Sequence, residues 1–324
     1  MAQEAPGKHY RKTISLPRLL KMFPDDETAR AWIESIIWPD GPRCPACGSA
    51  NVQCNIAHKS MTHRCRDCAD KPRFSVKTGT VMQSSKLGYQ TWAIAAYLVT
   101  TSLKGVSSMK LHRDLEITQK SAWHLAHRLR KTHEVGLPLF TGPAEADETY
   151  MGGKRKNMTK SKREAMTGRG GVGKAVVVGA KDREANQVVA KTVESTDKET
   201  LQGFVAETVA PGSDLYTDDH RAYQGIEGYH HKTVNHSSQQ YVDGQIHTNG
   251  IESFWAMFKR AHKGVYHKMS PKHLQRYVDE FAGRHNMREG DTVEQMELTI
   301  ARMKGKRLTY TALKADNGLS IAAH

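Results

Sequence analysis

The 324-residue chain has no long hydrophobic run. Its longest apolar stretch, Ala93 to Val99 with Trp92 before it, is only eight residues, against the roughly 20 that a membrane-spanning helix needs. The N-terminal stretch MAQEAPGKHYRK lacks the apolar core of a secretory leader. Spanning and exported proteins are therefore set aside, and a cytoplasmic, nucleoid-associated protein is expected. There is no internal repeat at solenoid periods and no low-complexity tract, which sets aside repeat architectures. Acidic residues are in deficit: 34 Asp plus Glu stand against 48 Lys plus Arg, a net charge of +14. An excess of that size favours a polyanionic partner, and without a membrane segment the partner is nucleic acid. Cysteines number only five, all within residues 44–68. In a reducing compartment such a grouping points to metal binding rather than to disulfides.

The length allows two or three domains, and composition divides the chain. Residues 1–40 form an N-terminal helical segment, in which Leu16, Leu20, Phe23, Ala29, Trp32 and Ile36 make an amphipathic pattern broken near Pro24. Residues 41–85 hold the cysteines, and 86–135 read as helices. After a Gly/Pro-containing linker, residues 140–290 alternate strands and helices, and 291–324 form a basic tail.

Cys44-Pro-Ala-Cys47 and Cys65-Arg-Asp-Cys68 are two C-x2-C pairs with seventeen residues between them. Each tight turn brings two thiolates to one ion, and four thiolates leave no open position, so a structural Zn2+ is expected. Cys54 is outside the pattern. His58 and His63 are rival ligands, less favoured than the four cysteines. The surrounding basic side chains suit a ribbon that grips nucleic acid or a partner protein.

Residues 105–131 read as a helix-turn-helix. Val106, Met109, Leu111 and Leu115 pack a first helix, Thr118 caps a second, and Ala122, Trp123, Leu125, Ala126 and Leu129 line its inner side. Gln119, Lys120, Ser121, His124, Arg128 and Arg130 are left outward, where such motifs touch DNA; a plain packed hairpin is the other reading. GRGGVGKA at 168–175 resembles a phosphate loop only superficially, because a β run follows it and Ala175 has no hydroxyl. Residues 152–174 hold Lys154, Arg155, Lys156 and five further cationic residues against one Glu. Such a glycine-rich loop suits a phosphate backbone, or is a solvated loop.

The expected order is strand 144–150, hairpin strands 174–181 and 186–194, helix 197–208, strands 214–218 and 231–235, and helix 249–262. Three antiparallel strands, a helix and parallel additions make a ribonuclease-H-like sheet. There a carboxylate in the first strand, Asp147, lies beside one ending the fourth, Asp218, and a crossing helix brings in a third. That helix, HTNGIESFWAMFKR, buries Ile251, Phe254, Trp255 and Phe258 on one stripe and carries Glu252 and Lys259 on the neighbouring face. Hard divalent cations prefer oxygen ligands, and phosphodiester chemistry on two Mg2+ or Mn2+ ions needs such a cluster.

The motifs CPACGS, CRDC, RFSVKTGTVMQSSKL, ADETYMGGK, YTDDHRAY, HTNGIESFW and YHKMSPKHLQRYVDEF stand in order between Arg43 and Asn286. With them the chain resembles the zinc-ribbon DDE transposases of bacterial insertion sequences, the ISXO-two-like group. The resemblance implies a multidomain α+β protein: a helical segment and zinc ribbon, a helix-turn-helix, and a ribonuclease-H-like catalytic domain with a mixed five-stranded sheet. It implies binding of terminal inverted repeats, strand nicking and transfer into target DNA, by a homodimer or higher assembly. The carried-over acids are Asp147 and Asp218. Glu252 fits the third position, with Asn249 as the alternative and Lys259 as its basic support. Asp219, Glu148 and His247 are close enough to assist, and Arg260 with Lys259 would hold DNA phosphate. A DNA-binding regulator with an inactive β domain is the rival reading, and the intact acids speak against it. A ribonuclease-H or junction-resolving nuclease shares the chemistry but leaves the ribbon and helix-turn-helix without a role.

Overall fold

A computed structural model describes residues 12–315 apart from 71, 135, 137, 154–156, 166–170, 172 and 235–246. The chain divides into two compact units, one running to His133 and taking in Met287–Ala315, the other built on Glu134–Asn286. In the first unit the N-terminal pattern forms two helices, α1 (Leu16–Met22) and α2 (Asp26–Ile37). Pro24 cannot continue a helix ladder, and Asp25 restarts it by accepting from Thr28 N at 2.7 Å. The break turns Leu19 inward and leaves Leu16 and Leu20 both 45% exposed, so the single stripe expected across Pro24 is not continuous. The cysteine region follows as a three-stranded antiparallel sheet of β1 (Val52–Gln53), β2 (His63–Cys65) and β3 (Arg73–Phe74). Helices α3 (Tyr89–Thr101), α4 (Ser108–Asp114) and α5 (Gln119–Thr132) come next.

The second unit contains β4 (Ala144–Met151), α6 (Lys160–Ala165), β5 (Ala175–Asp182), β6 (Val188–Val193), α7 (Lys198–Thr208), β7 (Asp214–Asp218) and β8 (His230–Val234). It ends in α8 (Asn249–Ala261) and α9 (Pro271–Asn286). The five strands run in the order β6-β5-β4-β7-β8. β6, β5 and β4 are antiparallel, and β7 and β8 are parallel additions. This is the mixed sheet of a ribonuclease-H-like fold. Strand alternation sends Ala144, Ala146, Val178 and Ala180 against Leu201 and Phe204 of α7. It sends Met151, Val177 and Val188 to the other face, against Ile251, Phe254, Trp255 and Phe258 of α8. All four of these α8 side chains are at most 5% exposed, and burying each stabilises the unit by about 1.5–3 kcal/mol. β5 begins directly after Lys174, so the GRGGVGKA stretch is followed by a strand and does not open a helix.

Up to Ala315 the basic tail is not an appendage. Its helices α10 (Thr292–Ala301) and α11 (Tyr310–Lys314) belong to the first unit. Met296, Ile300 and Met303 enter the core with Trp92, Leu125 and Leu129, and Val81 N donates to Met303 O at 3.1 Å.

Candidate active site and zinc centre

The four sulfurs of Cys44, Cys47, Cys65 and Cys68 lie within 4.8 Å of one another. The Cys44–Cys68 and Cys47–Cys65 separations are both 3.7 Å, close to the edge of about 3.8 Å for a tetrahedron with Zn–S bonds of about 2.3 Å. Gly48 takes a φ of +76°, and its N–H donates to Cys44 O at 2.8 Å, which closes the first turn. Asp67 ties the second turn to the first by accepting from Ser49 Oγ and, at 2.7 Å, from Asn51 Nδ2. Cys54 is exposed and stands apart from the group. Neither histidine joins the cluster. His63 stacks on Phe74 beside Trp38, and His58 Nδ1 accepts from Met61 N at 3.0 Å. Burial raises the Cys44 thiol pKa, but hydrogen bonds from the Cys47 and Ala46 backbone outweigh it and bring the value down to about 7. An all-sulfur set without an open position fits structural zinc.

A second group of like-charged ligands is assembled on the sheet. The parallel pairing of Ala144 with Leu215 and Glu145 with Tyr216 carries Asp147 level with Asp218, where β7 ends. Across the other edge of β4, Asp147 faces Gly179. A Cβ there would sit 2.7 Å from Trp255 Cζ2, so the glycine lets α8 lie directly on the strand beside Asp147. Oxygens of Asp147, Glu148 and Asp218 all lie within 4.8 Å of one another. Glu148 projects from the opposite face of β4 to Asp147. It accepts from Tyr223 Oη at 3.5 Å and stands 3.9 Å from His220 Nε2. Asp218 Oδ1 in turn accepts from His220 N at 3.1 Å. Sequence alternation separated Glu148 from Asp147 and left it a supporting place; where β7 ends beside the middle of β4, both reach Asp218.

Burial, then the charges of Asp218, Glu148 and Glu252, raise the Asp147 pKa from 3.8 to about 8. Burial and the Asp218 charge also raise Glu148, against the pull of His220. Tyr223, buried beneath them, is raised as well, first by burial and then by the Glu148 charge. Three crowded oxygen donors, with the ionisation of Asp147 and Glu148 held back, fit a hard divalent cation, which would relieve the repulsion.

Glu252 is not one of the three that lie so close, but its charge reaches Asp147, and its Oε1 accepts from Thr248 Oγ1 at 3.1 Å. Asn249 opens α8 and is exposed. Lys259, two turns along, lines a cavity of about 390 Å³ together with Glu148, Lys174, His262 and Lys263. Here α8 passes into a π-helical turn, His262–Tyr266. Arg260 is exposed, with Nε bonded to Ala256 O, and Asp219 is exposed beside Asp218. Lys154, Arg155 and Lys156 lie outside the described residues.

The α4–α5 hairpin is formed, with Thr118 accepting from Ser121 N at 3.2 Å and Val106, Leu111, Ala122 and Ala126 packed between. Its outer face differs from the expectation. Arg128 and Arg130 are 7% and 4% exposed. Arg128 donates from Nε to Leu308 O at 3.2 Å and from Nη2 to Gln83 O at 3.0 Å, and His124 Nε2 meets Leu308 O at 2.9 Å. The segment after α10 covers this side of α5, so Arg128 is not available as an outward DNA contact. Met109, placed in the packing, is 44% exposed. Lys120 remains exposed, with Nζ 4.7 Å from the centre of the Tyr310 ring.

Residues 140–286 match the ISXO2-like transposase domain, and residues 24–71 match the transposase zinc-ribbon domain. The chain is 25% identical over 260 residues to a Halobacterium salinarum protein described as an uncharacterized protein in transposable element ISH50, covering 76% of this chain and 87% of the relative. It is 30% identical over 105 residues to an uncharacterized transposase-like protein of Haemophilus influenzae, covering 32% of this chain and 84% of the relative. No helix among the described residues is long and apolar enough to cross a membrane.

Proposed function

The chain belongs to the ISXO2-like transposases, and from that premise we propose that it cuts DNA at the ends of its element and joins those ends to target DNA. The observation that carries the reading is the gathering of Asp147 and Glu148, in the middle of β4, with Asp218, at the end of β7, within 4.8 Å of one another, with Glu252 acting on Asp147 from α8. Magnesium or manganese ions bound there would polarise the scissile phosphate and activate the attacking water or 3′-hydroxyl. Asp147 and Asp218 would hold such ions, Glu148 would close the set from the other face of β4, and Glu252 would be the α8 ligand, with Asn249 as the alternative. Asp147 would release its proton to solvent to take that role. Lys259 and Arg260 neutralise phosphate charge beside the acids, and the cationic 152–174 loop follows the backbone. The zinc ribbon and the α4–α5 hairpin, with Lys120 at its exposed end, bind the terminal inverted repeats. The protein acts on the nucleoid, in the cytoplasm, as a homodimer or larger assembly on paired ends.

The test is nicking of a supercoiled plasmid carrying the element ends, with magnesium or manganese, in wild type and Asp147→Asn. Metal-dependent nicking lost in the variant is the expected result; nicking that survives Asp147→Asn removes the site.

A further inference from the structure

Two residues before Asp147, on the same face of β4, lies a carboxylate that the proposed metal chemistry does not use. Glu145 is 1% exposed, and both of its oxygens are committed. Oε2 accepts from Ile251 N at 2.8 Å, and Oε1 accepts from Arg183 Nε at 2.9 Å. Ile251 is the third residue of α8, so this carboxylate takes one of the helix's unsatisfied first-turn amides. Arg183 extends the grip. Its Nη2 donates to His247 O, just ahead of α8, and lies 3.1 Å from His247 Nδ1. Its guanidinium lies over the Tyr216 ring of β7 at 4.0 Å. The fit is tight: a Cβ on Gly250 would stand 2.7 Å from Glu145 Oε2 and 2.8 Å from Lys181 Nζ. One buried ion pair thus fastens the strand that carries Asp147 to the turn of α8 that carries Glu252.

We propose that Glu145, with Arg183, is a positioning residue that clamps the first turn of α8 to β4 and so sets the spacing between Glu252 and Asp147. The inference rests on the metal reading above. A charged anchor suits the task because a buried carboxylate bound to a guanidinium and an amide tolerates little displacement, whereas the apolar stripe of α8 permits small slides along the sheet. Gly250 is part of the device, since only a residue without a side chain lets the helix end approach so closely.

The experiment compares Glu145→Gln, Glu145→Ala and Gly250→Ala with wild type and Asp147→Asn. Two readouts are taken: amide hydrogen exchange at residues 249–253 without metal, and manganese binding followed by paramagnetic resonance. Expected are a loss of protection at Ile251 in Glu145→Ala and Gly250→Ala, and a manganese dissociation constant raised about tenfold or more. Glu145→Gln should fall between, and its nicking should recover in excess manganese while Asp147→Asn stays inactive. Gly250→Ala keeps the Glu145–Arg183 pair and decides the matter if Glu145→Ala does not fold. A manganese affinity within twofold of wild type in Gly250→Ala and Glu145→Gln overturns the inference, even where melting temperature falls, because that pattern describes a structural role alone. If Asp147→Asn itself keeps metal-dependent nicking, the metal reading fails, and this inference fails with it.

Discussion

The cysteine cluster and the acid cluster gather like-charged ligands at similar spacing, with ligand atoms within 4.8 Å in both, yet they are built in opposite ways. The sulfurs come from two short turns tied by Asp67, Ser49 and Asn51. The carboxylates come from strands whose paired residues lie 71 positions apart, brought level by one parallel pairing and backed by a helix further on. One ion would saturate the sulfur set, whereas the acid set reaches the Lys259 cavity through Glu148. A turn-built site needs its ion in order to exist. A sheet-built site exists first, held by the core, with Asp147 kept protonated by burial and its neighbours' charges.

That contrast predicts how each region breaks. The largest effect is expected from Asp147→Asn or Asp218→Asn, which should lower strand nicking by about three orders of magnitude with little loss of folding; a plasmid assay with a melting curve reads both. Zinc removal by chelation, or Cys68→Ser, should do the reverse to its own region. Structural zinc contributes on the order of 10 kcal/mol to such sites, so amides of β1–β3 should lose exchange protection while those of β5 keep theirs. Next, Glu252→Gln should slow nicking by about a hundredfold and Asn249→Ala by less than about tenfold; the opposite ranking would move the α8 ligand to Asn249.

A pH prediction sharpens the idea of stored repulsion. The folded pKa of Asp147 is raised to about 8 from 3.8. Between these values the folded metal-free protein keeps a proton that the unfolded chain releases, so this group's contribution turns increasingly unfavourable as pH rises and levels off above about 8. Asp147→Asn should therefore melt a few degrees higher than wild type at pH 8, with a smaller gain at pH 5. Added manganese should reverse the order by stabilising wild type alone. The smallest effect belongs to Lys120→Ala, which should weaken duplex binding and reduce its salt slope by about one.

How much of this could be read from the chain follows the same division. The C-x2-C pairs are local, and local spacing reports a turn-built site directly. The α8 stripe and the strand order were legible too, because burial on both faces of a sheet imposes periodicity, and that order brings Asp147 level with Asp218. Glu148 was not legible as a partner, because alternation puts it on the face opposite Asp147, and only the fold brings the end of β7 within reach of both side chains. Nor was the burial of Arg128, since Leu308 and its carbonyl arrive from a segment 180 positions away. Tail composition alone did not tell that Met296, Ile300 and Met303 fill a core. The Glu145–Arg183 clamp was hidden for the same reason: its members sit on β4, in the turn after β5 and at the start of α8, and only the fold joins them.

The central claim is that the acids of β4, β7 and α8 converge to hold divalent cations. Anomalous diffraction from manganese-soaked crystals addresses it directly. Manganese peaks between Asp147 and Asp218, within bonding distance of Glu148 or Glu252 and absent from Asp147→Asn crystals, are predicted. Fully ordered carboxylates with no manganese between them at millimolar soak concentrations would contradict the account.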